Sequence, residues 1–237
     1  PYIKAHLNLS KMVKTANRLF KSIFSYKKTN KSDLQRALKL EVSDKPIIAC
    51  ITRLVEQKGL DLIHHAIEHT KKRGGQFVLL GSGSSEETQK TFRKLEKKLD
   101  SPLDIHMQFK HDERIAHKIF AGSDMFVIPS IFEPCGLTQM IAMRFGTIPI
   151  ARKTGGLADT VHDVDYHRAK RSTANGFLFE KPTKASIERA INRALETWEQ
   201  RPTDWQRLVS DALTCRFDWK ESGQKYLDLY EELLARA

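Results

Sequence analysis

"MFVIPSIFEPCGLTQMIAMRFGTIPIAR", residues 125–152, decides the fold. Met125-Phe126-Val127-Ile128 is an apolar run of strand length, and "TIPIAR" (147–152) is a second. Between them "LTQMIAMRFG" has helical spacing and closes on Gly146. A strand, a short helix and a strand in immediate succession make a βαβ unit, whose two strands run parallel. Neither strand alternates apolar with polar residues. Strands apolar on both sides are buried on both faces, so helices must cover the sheet above and below.

The same signature repeats outward. "PIIACITR" (46–53), "QFVLLG" (76–81) and "LDIHMQF" (103–109) read as strands. "GLDLIHHAIEHTKKRGG" (59–75) reads as a helix closed by glycine. "SSEETQKTFRKLEKKL" (84–99) reads as a helix opened by Ser84, with Glu87 completing a capping box. "DERIAHKIFAG" (112–122) has Asp112 as its N-cap. "KSDLQRALKL" (31–40) is a short helix, and helices fill 184–235. The class is α/β: a Rossmann-like parallel sheet with helices on both faces, over residues 30–237.

Residues 1–29 read as a separate basic amphipathic segment or hinge. Residues 1–40 hold ten Lys or Arg against one acid, Asp33, so most of the net charge of +11 sits there. Leu9, Met12, Val13, Ala16, Leu19, Phe20, Ile23 and Phe24 recur at helical spacing between the basic residues. That pattern suits a membrane surface, an acidic partner or packing on the domain itself, and packing is the expectation. A nucleic-acid partner would rest on this segment alone, which lacks interleaved stacking aromatics, so no nucleic acid is expected. No apolar run reaches the ~18 residues of a membrane span. Three scattered cysteines, Cys50, Cys135 and Cys215, suit a reducing compartment better than a disulfide framework. The chain begins at Pro1 and is expected to be a piece of something longer.

In an open parallel sheet, ligands bind beyond the carboxyl ends of the strands. The turns there read "RLVEQKG" (53–59), "GSGSS" (81–85), "KHDE" (110–113), "SIFEPCG" (130–136) and "RKTGG" (152–156). Arg53 and Lys58 are two cations past one strand end, which suits an anion near a helix start. Gly136 lets a ligand approach the backbone, and Leu137 and Thr138 open a helix with free N–H groups. Glu133 is the odd residue in this turn. A carboxylate beside phosphates must accept hydrogen bonds from neutral donors, and sugar hydroxyls are the obvious ones. Thr154, Gly155 and Gly156 lie at the same end and are counted with the ligand-binding residues. His64, His65 and His69 share one helix and are expected at the surface rather than on a metal. Cys135 is expected to pack beside glycine rather than act as a nucleophile.

"RLVEQKGLDLI", "AHKIFAGSDMFVIPSIFEPCGLTQM", "FGTIPIARKTGGLADTV" and "NGF" resemble the C-terminal half of bacterial glycogen synthases and plant starch synthases. The resemblance runs from about Lys27 to the end of the chain. "GGQFVLLGSG" and "IAMRFGTIPIARKTGGL" lean toward the class III and IV starch synthase branch and related bacterial enzymes. These are retaining GT-B glycosyltransferases that use ADP-glucose. The resemblance implies glucose transfer to the 4-hydroxyl of an α-1,4-glucan, with no metal and no cofactor besides the donor. It implies that Arg53 and Lys58 hold the donor diphosphate and that the 137–138 backbone binds a phosphate. It assigns Glu133 to orienting glucose and supporting oxocarbenium charge. His111 stands where the family carries a tyrosine that stacks on adenine, and Ile141 stands where other GT-B enzymes carry a second glutamate. The family's N-terminal domain, with its donor loop and active-site histidine, is expected as a missing partner. The implied location is cytoplasmic for a bacterial chain and plastid stroma for a plant or algal one. The alternative is a non-catalytic nucleotide- or glucan-binding module.

Overall fold

The computed structural model describes residues 16–83, 85–165 and 174–236, with backbone alone for 16–21 and Glu221. Six strands form its sheet: β1 (Ile47–Arg53), β2 (Gln76–Ser82), β3 (Ile105–Gln108), β4 (Met125–Ile128), β5 (Ile148–Arg152) and β6 (Phe177–Phe179). Around them lie α1 (Ala16–Leu38), α2 (Leu60–Lys72), α3 (Glu86–Leu99), α4 (Glu113–Gly122), α5 (Thr138–Arg144), α6 (Gly156–Thr160), α7 (Lys184–Gln200), α8 (Pro202–Thr214) and α9 (Trp219–Ala235). The strand order is β3-β2-β1-β4-β5-β6, and every pairing is parallel. The expected Rossmann-like class is the one observed.

Burial explains the apolar strands. Ile48, Cys50, Phe77, Leu79, Met125 and Val127 enter one core with residues of α2, α3, α7 and α8. Their neighbours Ile47, Ala49, Val78, Leu80, Phe126 and Ile128 enter a second core with α1 and α4. Successive side chains point to opposite faces, so both parities must be apolar. Each fully buried Phe or Ile contributes about 1.5–3 kcal/mol relative to exposure. β1 pairs β2 from Ile47↔Gln76 to Arg53↔Ser82 and meets β4 at Ile48↔Met125. The strand order reverses between β1 and β4. A crevice therefore opens beyond their carboxyl ends.

Several local readings change. The two N-terminal helices are one, α1, which crosses position 30 unbroken. No Gly or Pro interrupts it, and Thr29 and Asn30 hydrogen-bond back to Ser25 O and Tyr26 O within the helix. Ile23 is buried and Phe24 packs on the core, so this part of the basic segment lies against the domain. Leu9, Met12 and Val13 lie outside the described residues, as does Ser84. The cap of α3 is Ser85, whose hydroxyl accepts from Thr88 N at 3.2 Å. Asp112 caps α4 as expected, accepting from Arg114 N and Ile115 N. β6 escaped the sequence reading because three residues are too few for a periodicity signal.

The α2 histidines are not all at the surface. His69 is buried, its Nε2 2.8 Å from Asn192 Oδ1, and His65 Nε2 lies 3.0 Å from Glu188 Oε2. Both partners belong to α7, which covers a face that one helix's pattern cannot assign. Cys135 is also exposed rather than packed.

Candidate functional site

β1 ends on Arg53, and a 3₁₀ turn, Glu56–Lys58, follows it. The turn closes on Gly59 at φ 73°. A Cβ at Gly59 would sit 2.4 Å from Pro129 O, so only glycine lets this turn lie against the end of β4. The close approach brings Lys58 to Glu133, with Nζ 2.5 Å from Oε2. Ser130 Oγ donates to the same oxygen at 2.8 Å. Glu133 is 9% exposed, and its Oε1 has no hydrogen-bond partner among the described residues. One oxygen anchors the carboxylate and the other faces none of the described donors.

The turn after β5 backs this arrangement. A Cβ at Gly155 would lie 2.1 Å from Glu133 O, and one at Gly156 would lie 2.0 Å from Cys135 O. Gly156 N donates to Glu133 O at 3.1 Å. These glycines let α6 begin directly behind the glutamate turn.

A pocket of about 310 Å³ collects Arg53, Lys58, Glu133, Gly136, Leu137 and Thr138, with Cys50 and Val127 among its lining. These six expected site residues come from turns far apart in sequence. His111, Thr154, Gly155 and Gly156 do not line it. His111 is exposed and lies 3.2 Å from Glu113, whereas the two glycines sit behind the turn and Thr154 bonds along its own backbone, to Arg152 O and from Leu157 N. Arg53 is exposed and has no carboxylate partner among the described residues, so the pocket holds one paired and one unpaired cation. Burial pushes the Cys50 thiol up to about 12, against the opposing charge of Lys58, so it stays protonated and inert. A larger concavity, about 420 Å³, lies beside α5. Its walls include Leu137, Met140, Ile141 and Phe217, and its one carboxylate, Asp218, pairs with Arg216 at 3.6 Å, both side chains being exposed.

Sequence reasoning missed Ser130, Gln57 and Arg152. Arg152 carried a usable signal, since it is a cation ending a strand, as Arg53 is. Among the described residues, no group of three His, Cys, Asp or Glu could hold a metal ion.

The arrangement can hold an anion on the Arg53 side while presenting a carboxylate to a neutral polyol. The family "Glycosyl transferases group 1" matches residues 31–206, about three-quarters of the chain. The chain belongs to the group 1 glycosyltransferases. Among similar proteins, this glycosyltransferase chain is 42% identical to a glycogen synthase of Protochlamydia amoebophila, over 99% of its own length and 47% of the relative's. It is 45% identical to probable starch synthase 4 of Arabidopsis thaliana, over 89% of its length and 20% of the relative's. The solved catalytic domain of starch synthase IV from Arabidopsis thaliana, bound to ADP and acarbose, matches with a TM-score of 0.84 and 44% identity. That match covers 90% of this chain and 43% of the other. The fold is that of one half of a GT-B glycosyltransferase, and the chain spans less than half the length of each of these relatives.

Proposed function

We propose that this domain binds ADP-glucose and forms the donor half of a glycogen or starch synthase. The reaction moves glucose to the 4-hydroxyl of an α-1,4-glucan with retention of configuration. The observation that carries the reading is the convergence of Arg53, Lys58 and Glu133 in one pocket at the β1/β4 switch point. The naming of the relatives as glycogen and starch synthases supports the choice of donor and product.

When the bond from glucose C1 to the diphosphate breaks, negative charge grows on the leaving group and positive charge on the sugar ring. Arg53, Lys58 and the Leu137–Thr138 backbone are the groups for the first, and the Glu133 carboxylate is the group for the second. Fixed donors and charges suited to the developing charges lower such a barrier. In this reading no metal is needed. Lys58 must divide its attention between Glu133 and the incoming phosphate, so donor binding exchanges part of an existing ion pair for a new one. The acceptor side comes from a further domain, in keeping with the greater length of the relatives. The compartment is the cytoplasm for a bacterial chain or the plastid stroma for a plant one. No helix among the described residues is long and apolar enough to cross a membrane.

Calorimetric titration of the chain with ADP, UDP and ADP-glucose tests this. ADP and ADP-glucose should bind, and UDP should bind more weakly. Failure of both adenine nucleotides to bind at millimolar concentration would overturn the reading.

A further inference from the structure

The glutamate turn is not held by apolar packing. Ile131 is 43% exposed and Phe132 is 56% exposed. What holds it is a run of hydrogen bonds to four consecutive backbone carbonyls, from the end of β5, the 3₁₀ turn after β1 and the start of α6. Arg152 Nε donates to Ser130 O at 2.8 Å, and its Nη2 donates to Ile131 O. Gln57 Nε2 donates to Phe132 O at 2.9 Å, while Ile131 N donates to Gln57 O at 2.8 Å. Gly156 N donates to Glu133 O at 3.1 Å. The third arm of Arg152, Nη1, donates to Glu180 O at 3.1 Å, which ties the guanidinium to the segment after β6.

Arg152 is therefore a three-way brace between β5, the 130–131 backbone and residue 180. It does not line the pocket, and no carboxylate takes its charge among the described residues. A planar guanidinium spreads its donors over three nitrogens in a fixed fork, so it spans two adjacent carbonyls and a third group on another segment, whereas an ammonium's three donors radiate from a single nitrogen. The backbone it fixes carries Ser130, whose hydroxyl holds Glu133 Oε2. Misplacing a reacting group by even an ångström is costly, and side chains locked by a supporting shell avoid it.

We infer that Arg152 is a positioning residue that sets Glu133 for the sugar of the donor, acting through the 130–131 backbone and Ser130. The inference rests on the proposed role of Glu133. It predicts that Arg152 matters to the sugar and not to the diphosphate.

The test is the ratio of ADP-glucose to ADP affinity, measured calorimetrically on the chain with Arg152→Ala, Arg152→Lys, Ser130→Ala, Glu133→Ala and the Arg152→Ala/Glu133→Ala double variant. Glu133→Ala should lower the ratio by more than tenfold. Arg152→Ala should lower it about tenfold, Arg152→Lys about fivefold and Ser130→Ala about threefold, with ADP affinity held within threefold throughout. The double variant should match Glu133→Ala, because Arg152 has nothing left to position. If Arg152→Ala does not fold, Arg152→Lys and Ser130→Ala decide by the same ratio. A normal ratio in the Arg152 variants beside a lowered one in Glu133→Ala overturns this inference alone, as does a double variant twofold or more below Glu133→Ala. An unchanged ratio in Glu133→Ala, or no nucleotide binding by the unmodified chain, overturns the reading of the site and the inference with it.

Discussion

The two ends of the sheet are both rich in polar side chains, and they use them in opposite ways. At the amino end, Lys27 is 8% exposed and donates to Ala121 O at 2.9 Å, Ser123 O at 2.6 Å and Thr147 Oγ1 at 2.9 Å. Beside it Lys31 pairs with Asp124 at 2.8 Å, and the same carboxylate oxygen accepts from Ile47 N. Gln35 Nε2 donates to Gln76 Oε1 at 2.8 Å, which joins α1 to the start of β2. The charged groups here serve one another and the backbone, while Gln35 Oε1 is buried without a hydrogen-bond partner among the described residues. At the carboxyl end, Arg53 is exposed without a carboxylate and Glu133 keeps one oxygen unbonded, among the described residues. Satisfied polar groups stabilise a fold, and unsatisfied ones are where a ligand gains binding energy. The difference separates residues that hold the domain from residues that act.

The largest effect should come from the acting end. In a complete two-domain enzyme, Glu133→Gln should slow glucose transfer by about 10²–10³-fold, or about 2.7–4 kcal/mol, the scale of one lost transition-state interaction. ADP affinity should not fall, because Lys58 is released from its partner toward the phosphate. Steady-state kinetics beside ADP titration checks this, and near-normal turnover would blur the contrast between the two ends.

Next in size is the holding end. Lys27→Ala removes the donor for three acceptors and leaves a cavity, so unfolding free energy should drop by about 2–4 kcal/mol. Chemical denaturation is the measurement. The lysine also carries a pH signature. Burial lowers its pKa from 10.5 to about 7; Asp124 opposes that shift and Lys31 adds to it. The folded state thus binds fewer protons than the unfolded chain between those values. Stability should rise with pH from about 7 toward 10.5 and be flat in this respect below 7. Denaturation midpoints measured across that window should show the slope in the unmodified chain and a reduced slope in Lys27→Ala.

The sequence made the acting end more legible than the holding end. Arg53, Lys58 and Glu133 are charged residues in turns beside buried strands, and that mismatch is visible without coordinates. Their convergence also follows from strand order, because β1 and β4 flank the switch point. Lys27 looks like any other cation of a basic segment. Its burial depends on α1 running unbroken across the sheet end, which no local pattern states. Arg152 is marked as a cation ending a strand, but its targets, like that of Gln57, are backbone carbonyls, which every residue possesses and which leave no mark in the sequence. The ion pair between Lys58 and Glu133 was hidden for a related reason. The two were assigned to opposite ends of a donor, whereas the Gly59 contact with Pro129 puts them side by side.

The most direct test sets Arg53→Ala against Lys27→Ala in the same two assays, ADP affinity and denaturation midpoint. Arg53→Ala should weaken ADP by about 1.5–3 kcal/mol, the scale of a charge-assisted hydrogen bond, with AMP affected much less. Its stability should stay within about 0.5 kcal/mol, as for other exposed substitutions. Lys27→Ala should do the reverse, losing stability while the folded protein keeps its ADP affinity. An Arg53→Ala chain that binds ADP normally, or a folded Lys27→Ala chain that loses ADP as badly as Arg53→Ala was expected to, would contradict the division of labour between the two ends of the sheet.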